Sequence, residues 1–445
     1  MSVSAGSGRG FGAQVAFLAA ARLSTVAAFF AVSVVGARLL SPAELGSAAV
    51  GQTIGMVAGL IGNAGINLAT IYFLQQRHAE RPSMVRRLAA IAIGACSVAV
   101  LLVLVSAPLT FGLILERTAW PLIAAAAAMG ATMIAFEFAG ALLLGLDRSG
   151  RFTLLELIRG WGSLIAVGFL LLGPWRTDAG LVMGMALGYA AAAVMGLAWT
   201  TRAGMSLAPQ LDLDFSRAAL GFGLKGQIGN VFQFLGVRLD LLLVPSLLDL
   251  RAAGIYFVAV RVSDVVGQGA TAVASLVFPR VAALEDRRST ELTERATRLT
   301  LIAVAVSALL LGLAGEVVLR IAFGPAYATG ATVLSILLVA VVPLSVGRVL
   351  AADLKGRGRP ELVSLAALGA VAATIAFDLV LIPILGLVGA GVASVLTYCV
   401  STIALLIGYR AVTGGSLLAL VPRVGDLADA AATIRSLGRA RRDAT

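Results

Sequence analysis

The stretch "LLSPAELGSAAV" at residues 39–50 closes one apolar run and opens another, and it returns, altered, as "LLDLRAAGIYFV" at 247–258. The match sets Gly46 opposite Gly254, 208 residues later. Two more echoes keep the same order. "DRSGRFTLLELI" at 147–158 resembles "KGRGRPELVSLA" at 355–366, pairing Gly150 with Gly358 at 208 residues, and "GLVMG" at 180–184 returns as "GLVGA" at 386–390, 206 residues on. Three echoes at nearly one spacing imply a duplicated unit.

The duplicated unit is built of apolar helices. Of 445 residues, 59% are hydrophobic and 13% charged, against about 25% charged in ordinary soluble chains. Runs long enough to cross a hydrocarbon core, roughly 20 residues each, recur throughout. Twelve spans are expected, at about 11–36, 46–74, 88–114, 119–145, 152–173, 178–200, 219–246, 252–278, 299–322, 329–352, 362–384 and 386–409. The expected fold is an all-α membrane protein of twelve transmembrane helices in two six-helix repeats. Its parts would be an N-terminal lobe at 1–200, a connector at 201–218, a C-terminal lobe at 219–409 and a basic tail at 410–445. Six is even, so both copies enter the membrane in the same direction. Parallel repeats of this kind are related by an axis along the membrane normal, and substrate sites characteristically lie near the midplane where repeats meet.

The net charge of +11 would suggest a nucleic-acid partner in a soluble protein. Here its distribution explains it, and no nucleic acid is expected. Of 34 Lys and Arg residues, 23 fall on one side of the membrane, four (Arg38, Arg117, Arg176, Arg251) on the other, and seven within spans. The positive-inside rule then places both termini, the connector and the tail in the cytoplasm. The first apolar segment is too long for a cleavable signal peptide and lacks the small-residue cleavage site. Cys96 and Cys399 lie in apolar runs and read as core residues. The one histidine, His78, sits in a basic loop, so neither a His-based metal centre nor a catalytic triad is expected, and no cofactor is. "GSGRGFG" at 6–12 follows no strand, and "GRGRP" at 356–360 lacks the Lys-Ser/Thr of a phosphate loop.

The spans nonetheless carry polar faces. At 100° per residue, Arg261, Asp264, Gln268 and Thr271 share an arc of about 80°. Gln227, Asn230, Gln233, Arg238 and Asp240 lie on one side of span 7, and Gln14, Arg22, Thr25 and Ser33 on one side of span 1. Span 2 adds Gln52, with Asn63 and Asn67 four residues apart. A charge at a helix centre costs roughly 2.5–3.5 kcal/mol on insertion scales, so such residues turn toward one another or toward water. One pair, such as Glu156 and Arg159, reads as glue between helices. Stripes on three helices read as a wet interior. Its cationic members Arg22, Lys225, Arg238, Arg261 and Arg348, joined by Asn63, Asn67, Asn230 and Gln268, point to an anionic cargo, because the arginine fork pairs with phosphate oxygens. Intramembrane carboxylates mark ion paths, which makes Glu137, Asp240, Asp264 and Asp378 candidate coupling groups. The glycines at 51, 55 and 59, and at 180, 184 and 188, allow close helix packing, and Pro343 allows a kink. The segment "DLADAAATIRSLGRARRD" at 426–443 reads either as a basic surface helix drawn to anionic lipid or as a frayed end.

With these features in place, the chain resembles the Wzx-type lipid-linked oligosaccharide flippases and polysaccharide exporters, within the multidrug/oligosaccharidyl-lipid/polysaccharide (MOP) exporter superfamily. The resemblance runs over about residues 11–409 and rests on "LLSPAELGSAAV", "RLDLLLVPSLLDLRAAGIYFVAVRVSD", "FGPAYATGATVL" and "LKGRGRPELVSL" followed by "LIPILGLVGAGVAS". It implies a MATE-like fold in a bacterial inner (cytoplasmic) membrane, and alternating access that carries an undecaprenyl-pyrophosphate-linked oligosaccharide outward for lipopolysaccharide or related synthesis. It also implies a transporter rather than an enzyme. Its partners would be the lipid-linked substrate, membrane lipid, and the polymerase and glycosyltransferases of the same pathway. By position the resemblance points to Arg22, Arg238, Asp240, Arg261 and Asp264.

Three other readings stay open. A cation-coupled multidrug antiporter would want carboxylates for its cationic cargo, yet spans 1 and 2 as read contain no Asp or Glu, and span 1 contributes Arg22. A peptidoglycan lipid II flippase would typically have more spans than the twelve found here. A membrane glycosyltransferase, polymerase or ligase would need a catalytic domain or a large outer loop, and the loops here are short.

Overall fold

The computed structural model describes residues 8–76, 78–115, 120–423 and 425–426. Arg77, Arg117, the tail beyond residue 426 and the side chains of Arg9, Gln14 and His78 lie outside what is described. The described residues form helices joined by short turns, with no strand among them. In chain order the helices are α1 (Gly8–Leu39), α2 (Pro42–Asn63), α3 (Ile66–Gln76), α4 (Arg81–Leu115), α5 (Trp120–Gly145), α6 (Ser149–Leu172) and α7 (Asp178–Thr201). Then come α8 (Leu213–Arg238), α9 (Asp240–Leu247), α10 (Leu250–Ala283), α11 (Asp286–Val318), α12 (Ala331–Gly356), α13 (Pro360–Leu385) and α14 (Leu387–Thr413). Together they supply 12 candidate membrane spans, one for each span expected. Large apolar side chains such as Phe169, Leu172, Leu313 and Ile384 stand exposed on the outer faces. That would be costly in water and is what a lipid-facing helix needs.

The duplication is written into the turns. Before α6, Asp147 has φ 61°, and the amides of Asp147 and Arg148 donate to the carbonyls of Leu144 and Leu143 at 3.1 and 2.8 Å. Before α13, Gly358 has φ 74°, and the amides of Gly358 and Arg359 donate to Lys355 and Leu354 at 3.1 and 2.9 Å. Asp147 therefore corresponds to Gly358, and the register of this turn is longer than the glycine match of Gly150 with Gly358 implies. At the start of α2 and α10 the expected spacing does hold. The amide of Leu45 donates to Ser41 at 2.9 Å and that of Ala253 to Asp249 at 3.1 Å.

Those two helix starts meet. A Cβ on Gly46 would collide with the Leu250 carbonyl oxygen, and one on Gly254 would collide with the Pro42 carbonyl oxygen. The contact is reciprocal between equivalent positions, and only residues without side chains permit it. The Ser41 capping box, with Glu44 accepting from the Ser41 amide at 2.8 Å, fixes where α2 begins.

Two compact units emerge from the packing. The first runs to Val258 and takes in Arg320–Tyr327; the second holds Ala259–Leu319 and the chain from Ala328 on. In the first, α5 packs on α2 and α7, and α6 on α1 and α7. The loop after α7 folds back on α4, where the Gln210 amide donates to the Arg86 carbonyl at 3.1 Å. Residues 320–327 are held there by Arg38, whose guanidinium donates to the carbonyls of Ala322 and Ile321. In the second, α12 packs on α11 and α14, and α13 on α14. Its α11 starts at Asp286, well before the expected span at 299. Within this extension Ser289, Thr293 and Thr297 are buried. Thr293 donates to Asp353 at 2.6 Å, and Arg357 pairs with Asp353 at 2.8 Å.

Replacing Gly46 or Gly254 with alanine forces backbone apart, and overpacking of this kind costs typically about 1–3 kcal/mol. Both variants are expected to lower the melting temperature in detergent. Gly150→Ala, where an added Cβ meets nothing within 4 Å, is expected to leave it unchanged or slightly raised.

Candidate functional site

The first unit contains a break in the middle of an apolar span. Residues Pro42–Gln76 are continuous by hydropathy, yet α2 ends at Asn63 and α3 begins at Ile66. Ala64 (φ 48°) and Gly65 (φ 77°) take left-handed conformations. The signal "GNAG" at 62–65 is the Asn/Gly chemistry that ends helices. A free carbonyl within a membrane needs an internal partner, and this break recruits them. The Gln227 side chain, on α8, donates to the Leu60 carbonyl at 2.8 Å, and the Ala64 amide donates to Ile61 at 3.2 Å. Gly65 lies directly on Gly223 of α8: a Cβ there would overlap the Gly223 carbonyl.

Around this break the structure gathers several residues expected to act. Glu137, on α5, accepts hydrogen bonds from the side-chain amides of Asn63 and Asn67, the second at 3.3 Å. Asn230 joins through its amide to Gln227 at 3.4 Å. Asn63 is wholly buried, and its Oδ1 has no hydrogen-bond partner among the described residues.

The other first-unit candidates are spread over α1, α8 and α9. Arg22, on α1, and Lys225, on α8, are exposed. Arg238 is partly buried at the end of α8, and Asp240, buried at the start of α9, accepts from the Tyr256 hydroxyl at 2.6 Å. In the second unit, Arg261, Asp264 and Gln268 are partly buried along α10. Arg348, on α12, donates to the Gly267 carbonyl at 2.7 Å and to the Thr271 hydroxyl at 3.0 Å. It ties α12 to α10 through its guanidinium. Asp378 is buried on α13.

One cluster in the first unit exceeds its sequence signal. Arg159 pairs with Glu156, donates to the Tyr189 hydroxyl at 2.9 Å, and lies over three rings: Phe136 at 4.9 Å, Phe29 at 5.1 Å and Tyr189 at 5.1 Å. Residues of α1, α5, α6 and α7 thus meet on one arginine, and Thr25 of α1 also donates to the Glu156 carbonyl at 3.1 Å. The Glu156–Arg159 spacing announces the ion pair; nothing local announces the aromatic cage. Among the described residues, no group of three or more His, Cys, Asp or Glu side chains is placed to hold a metal ion.

The chain has relatives in family and in fold. A family model described as "Polysaccharide biosynthesis protein" matches residues 35–332. No curated protein sequence matches the chain. Among solved structures, an inward-facing multidrug resistance MATE family transporter of the MOP superfamily superposes with TM-score 0.70 at 15% identity, covering 88% of this chain and 94% of that one. The lipid II flippase MurJ, in an inward closed conformation, superposes with TM-score 0.71 at 13% identity, covering 88% and 87%. An outward-facing MATE structure gives TM-score 0.57 at 14% identity, covering 90% and 95%. Likeness at these identities establishes a shared fold.

Arg159→Ala removes the partner of the half-buried Glu156, and losing a hydrogen bond to a charged group costs roughly 1.5–3 kcal/mol. Chemical unfolding of the purified protein is expected to show that loss, with Arg159→Lys intermediate because ammonium stacks poorly on rings. Lys225→Ala is expected to stay within about 0.5 kcal/mol of the parent.

Proposed function

The chain belongs to the polysaccharide biosynthesis protein family, and on that premise we propose that it is a flippase for an anionic lipid-linked oligosaccharide. The cargo proposed is an oligosaccharide on undecaprenyl pyrophosphate, moved outward across a bacterial cytoplasmic membrane by alternating access. In this reading both termini are cytoplasmic, and the pathway's glycosyltransferases and polymerase act before and after the transfer.

The observation that carries this reading is the contrast between two kinds of intramembrane cation. Arg159 is neutralised by Glu156 and enclosed by rings. Arg22 and Lys225 are exposed and have no hydrogen-bond or ion-pair partner among the described residues. A charge left open on a spanning helix cannot face hydrocarbon cheaply. It faces water or an anion. A pyrophosphate supplies that anion, and guanidinium groups bind it through paired, charge-assisted hydrogen bonds. In this proposal Arg22, Arg238 and Arg261 act on the head group, Lys225 adds charge, and Asn230 and Gln268 offer hydrogen bonds to sugar hydroxyls. Arg348 supports the site by bracing α10, and the lipid tail stays in the bilayer throughout. The multidrug reading suggested by the MATE neighbours fits this chain less well, since α1 carries Arg22, which would repel a cationic drug.

Losing one hydrogen bond to a charged group costs roughly 1.5–3 kcal/mol, about ten- to a hundredfold in a rate or affinity. In proteoliposomes loaded with undecaprenyl-pyrophosphate oligosaccharide, Arg22→Ala and Arg261→Ala are each expected to slow outward transfer by that factor. Transfer at the parental rate in both variants, or efflux of cationic dyes in place of oligosaccharide transfer, overturns the proposal.

A further inference from the structure

Helix α8 presents three kinds of face. Ala219, Gly223 and Gln227 are buried, on the side that packs against α2 and α3. A second face exposes Leu213, Leu224 and Ile228, as a helix against lipid does. The third, within an arc of about 100°, exposes Phe222, Lys225, Gly226 and Gln233. A lysine and a glutamine cannot meet hydrocarbon cheaply, so this face opens to water. Helix α3 repeats the pattern on a smaller scale. Tyr72, Gln75 and Gln76 are exposed and share an arc of about 100°, while Ala69, Thr70 and Leu74 are buried.

The two open faces meet at a pair of rings. Tyr72 and Phe222 stack with centroids 4.2 Å apart and planes 21° from parallel, and Phe73 stands edge-on to Tyr72 at 5.2 Å. Stacking covers one side of each ring, yet Tyr72 remains 38% and Phe222 40% exposed, so ring surface stays open. The Tyr72 hydroxyl and the carboxamides of Gln75 and Gln76 make no hydrogen bond among the described residues. Rings that only anchor a chain at the lipid surface are typically Trp and Tyr. Here a phenylalanine takes part, and both rings share their faces with carboxamides or a lysine. The result is a flat apolar plate rimmed by amide and hydroxyl groups. A pyranose has the complementary surface, with C–H groups on one face and hydroxyls around its edge.

We propose that Tyr72, Phe222, Gln75 and Gln76 form a saccharide subsite for the pyranose bonded directly to the pyrophosphate of the cargo. Lys225 sets the register. It lies three residues beyond Phe222, about 5–6 Å along the same face, which is close to the width of one sugar ring. With the pyrophosphate at Lys225, the first sugar falls on the rings, and the carboxamides take its hydroxyls. Because most pyranoses offer a C–H face, the plate reads the presence of a sugar more than its identity. The subsite rests on the flippase reading and deepens it: a carrier that has lost its sugar is held by charge alone, and a loaded one is held by charge and ring together.

Equilibrium binding of undecaprenyl pyrophosphate, bare or carrying one galactose or one N-acetylglucosamine, to the full-length protein in detergent separates the two contributions. The parent is expected to bind at least one sugar-bearing probe about tenfold more tightly than the bare carrier. Phe222→Leu, which keeps apolar bulk without a ring, and Tyr72→Ala are expected to erase that difference by weakening the sugar-bearing probes. Leu224→Ala, on the apolar face of α8, is expected to bind as the parent does. Phe222→Trp keeps a ring and adds a reporter, whose emission is expected to shift with the sugar-bearing probe and not with the bare one. Equal affinity of the parent for all probes, or a sugar preference retained in folded Phe222→Leu and Tyr72→Ala, overturns the subsite and leaves the flippase reading standing. Equal weakening of bare and sugar-bearing probes in those variants assigns the rings to anchoring the helices and likewise overturns it. A parent that binds none of the carriers overturns the flippase reading and the subsite with it.

Discussion

The backbone must satisfy its own polar groups wherever it crosses hydrocarbon, since no water is there to do so. Most of this chain obeys by remaining helical from one face to the other. At residues 63–65 it does not, and each consequence of that lapse is visible nearby. Gln227 sits in a span because the Leu60 carbonyl needs a donor. Gly223 lacks a side chain because Gly65 lies against it. Asn63 and Asn67 flank the break, and both donate to Glu137. The polar cluster at the break thus sits where the backbone itself already needs polar partners.

Charges within the spans divide into those the fold consumes and those it leaves available. Arg159 is consumed: ion pair, hydroxyl and three rings together offset the cost of burying it. Arg348 is consumed in another way, as a strap from α12 to Gly267 and Thr271 on α10. In the second unit, Asp353 is fully buried but shared between Thr293 and Arg357. Arg22 and Lys225 belong to the opposite class. On the proposed reading, the first kind hold the helices and the second meet the cargo.

Much of the fold is legible in the sequence because hydropathy and charge asymmetry report on the membrane, which acts on every span alike. The twelve spans follow from that, and the echoing turns disclose the repeat. The turn at 147–148 and its twin at 358–359 share backbone geometry but few side chains, which explains why matching glycines misplaces their register. The start of α11 is hard to read because "DRRSTELTERATR" at 286–298 is polar on average; its buried Ser and Thr positions recur every four residues, a weaker signal than apolar ones. The break at 63–65 is hidden by averaging, since two half-helices have the hydropathy of one whole. Glu137 and Asn63 stand out as polar residues in apolar spans. That they meet is not written locally, because 74 residues separate them and no short pattern encodes the pairing. The cage around Arg159 escapes a sequence reading for the same reason.

The meeting of Gly46 with Gly254 has a historical meaning. Pro42 and Gly46 face Leu250 and Gly254 in mutual exchange, each first member touching the partner of the other. Separate identical subunits make contacts of this kind across a two-fold axis. The junction is therefore of a form that two unfused half-length chains could already have made.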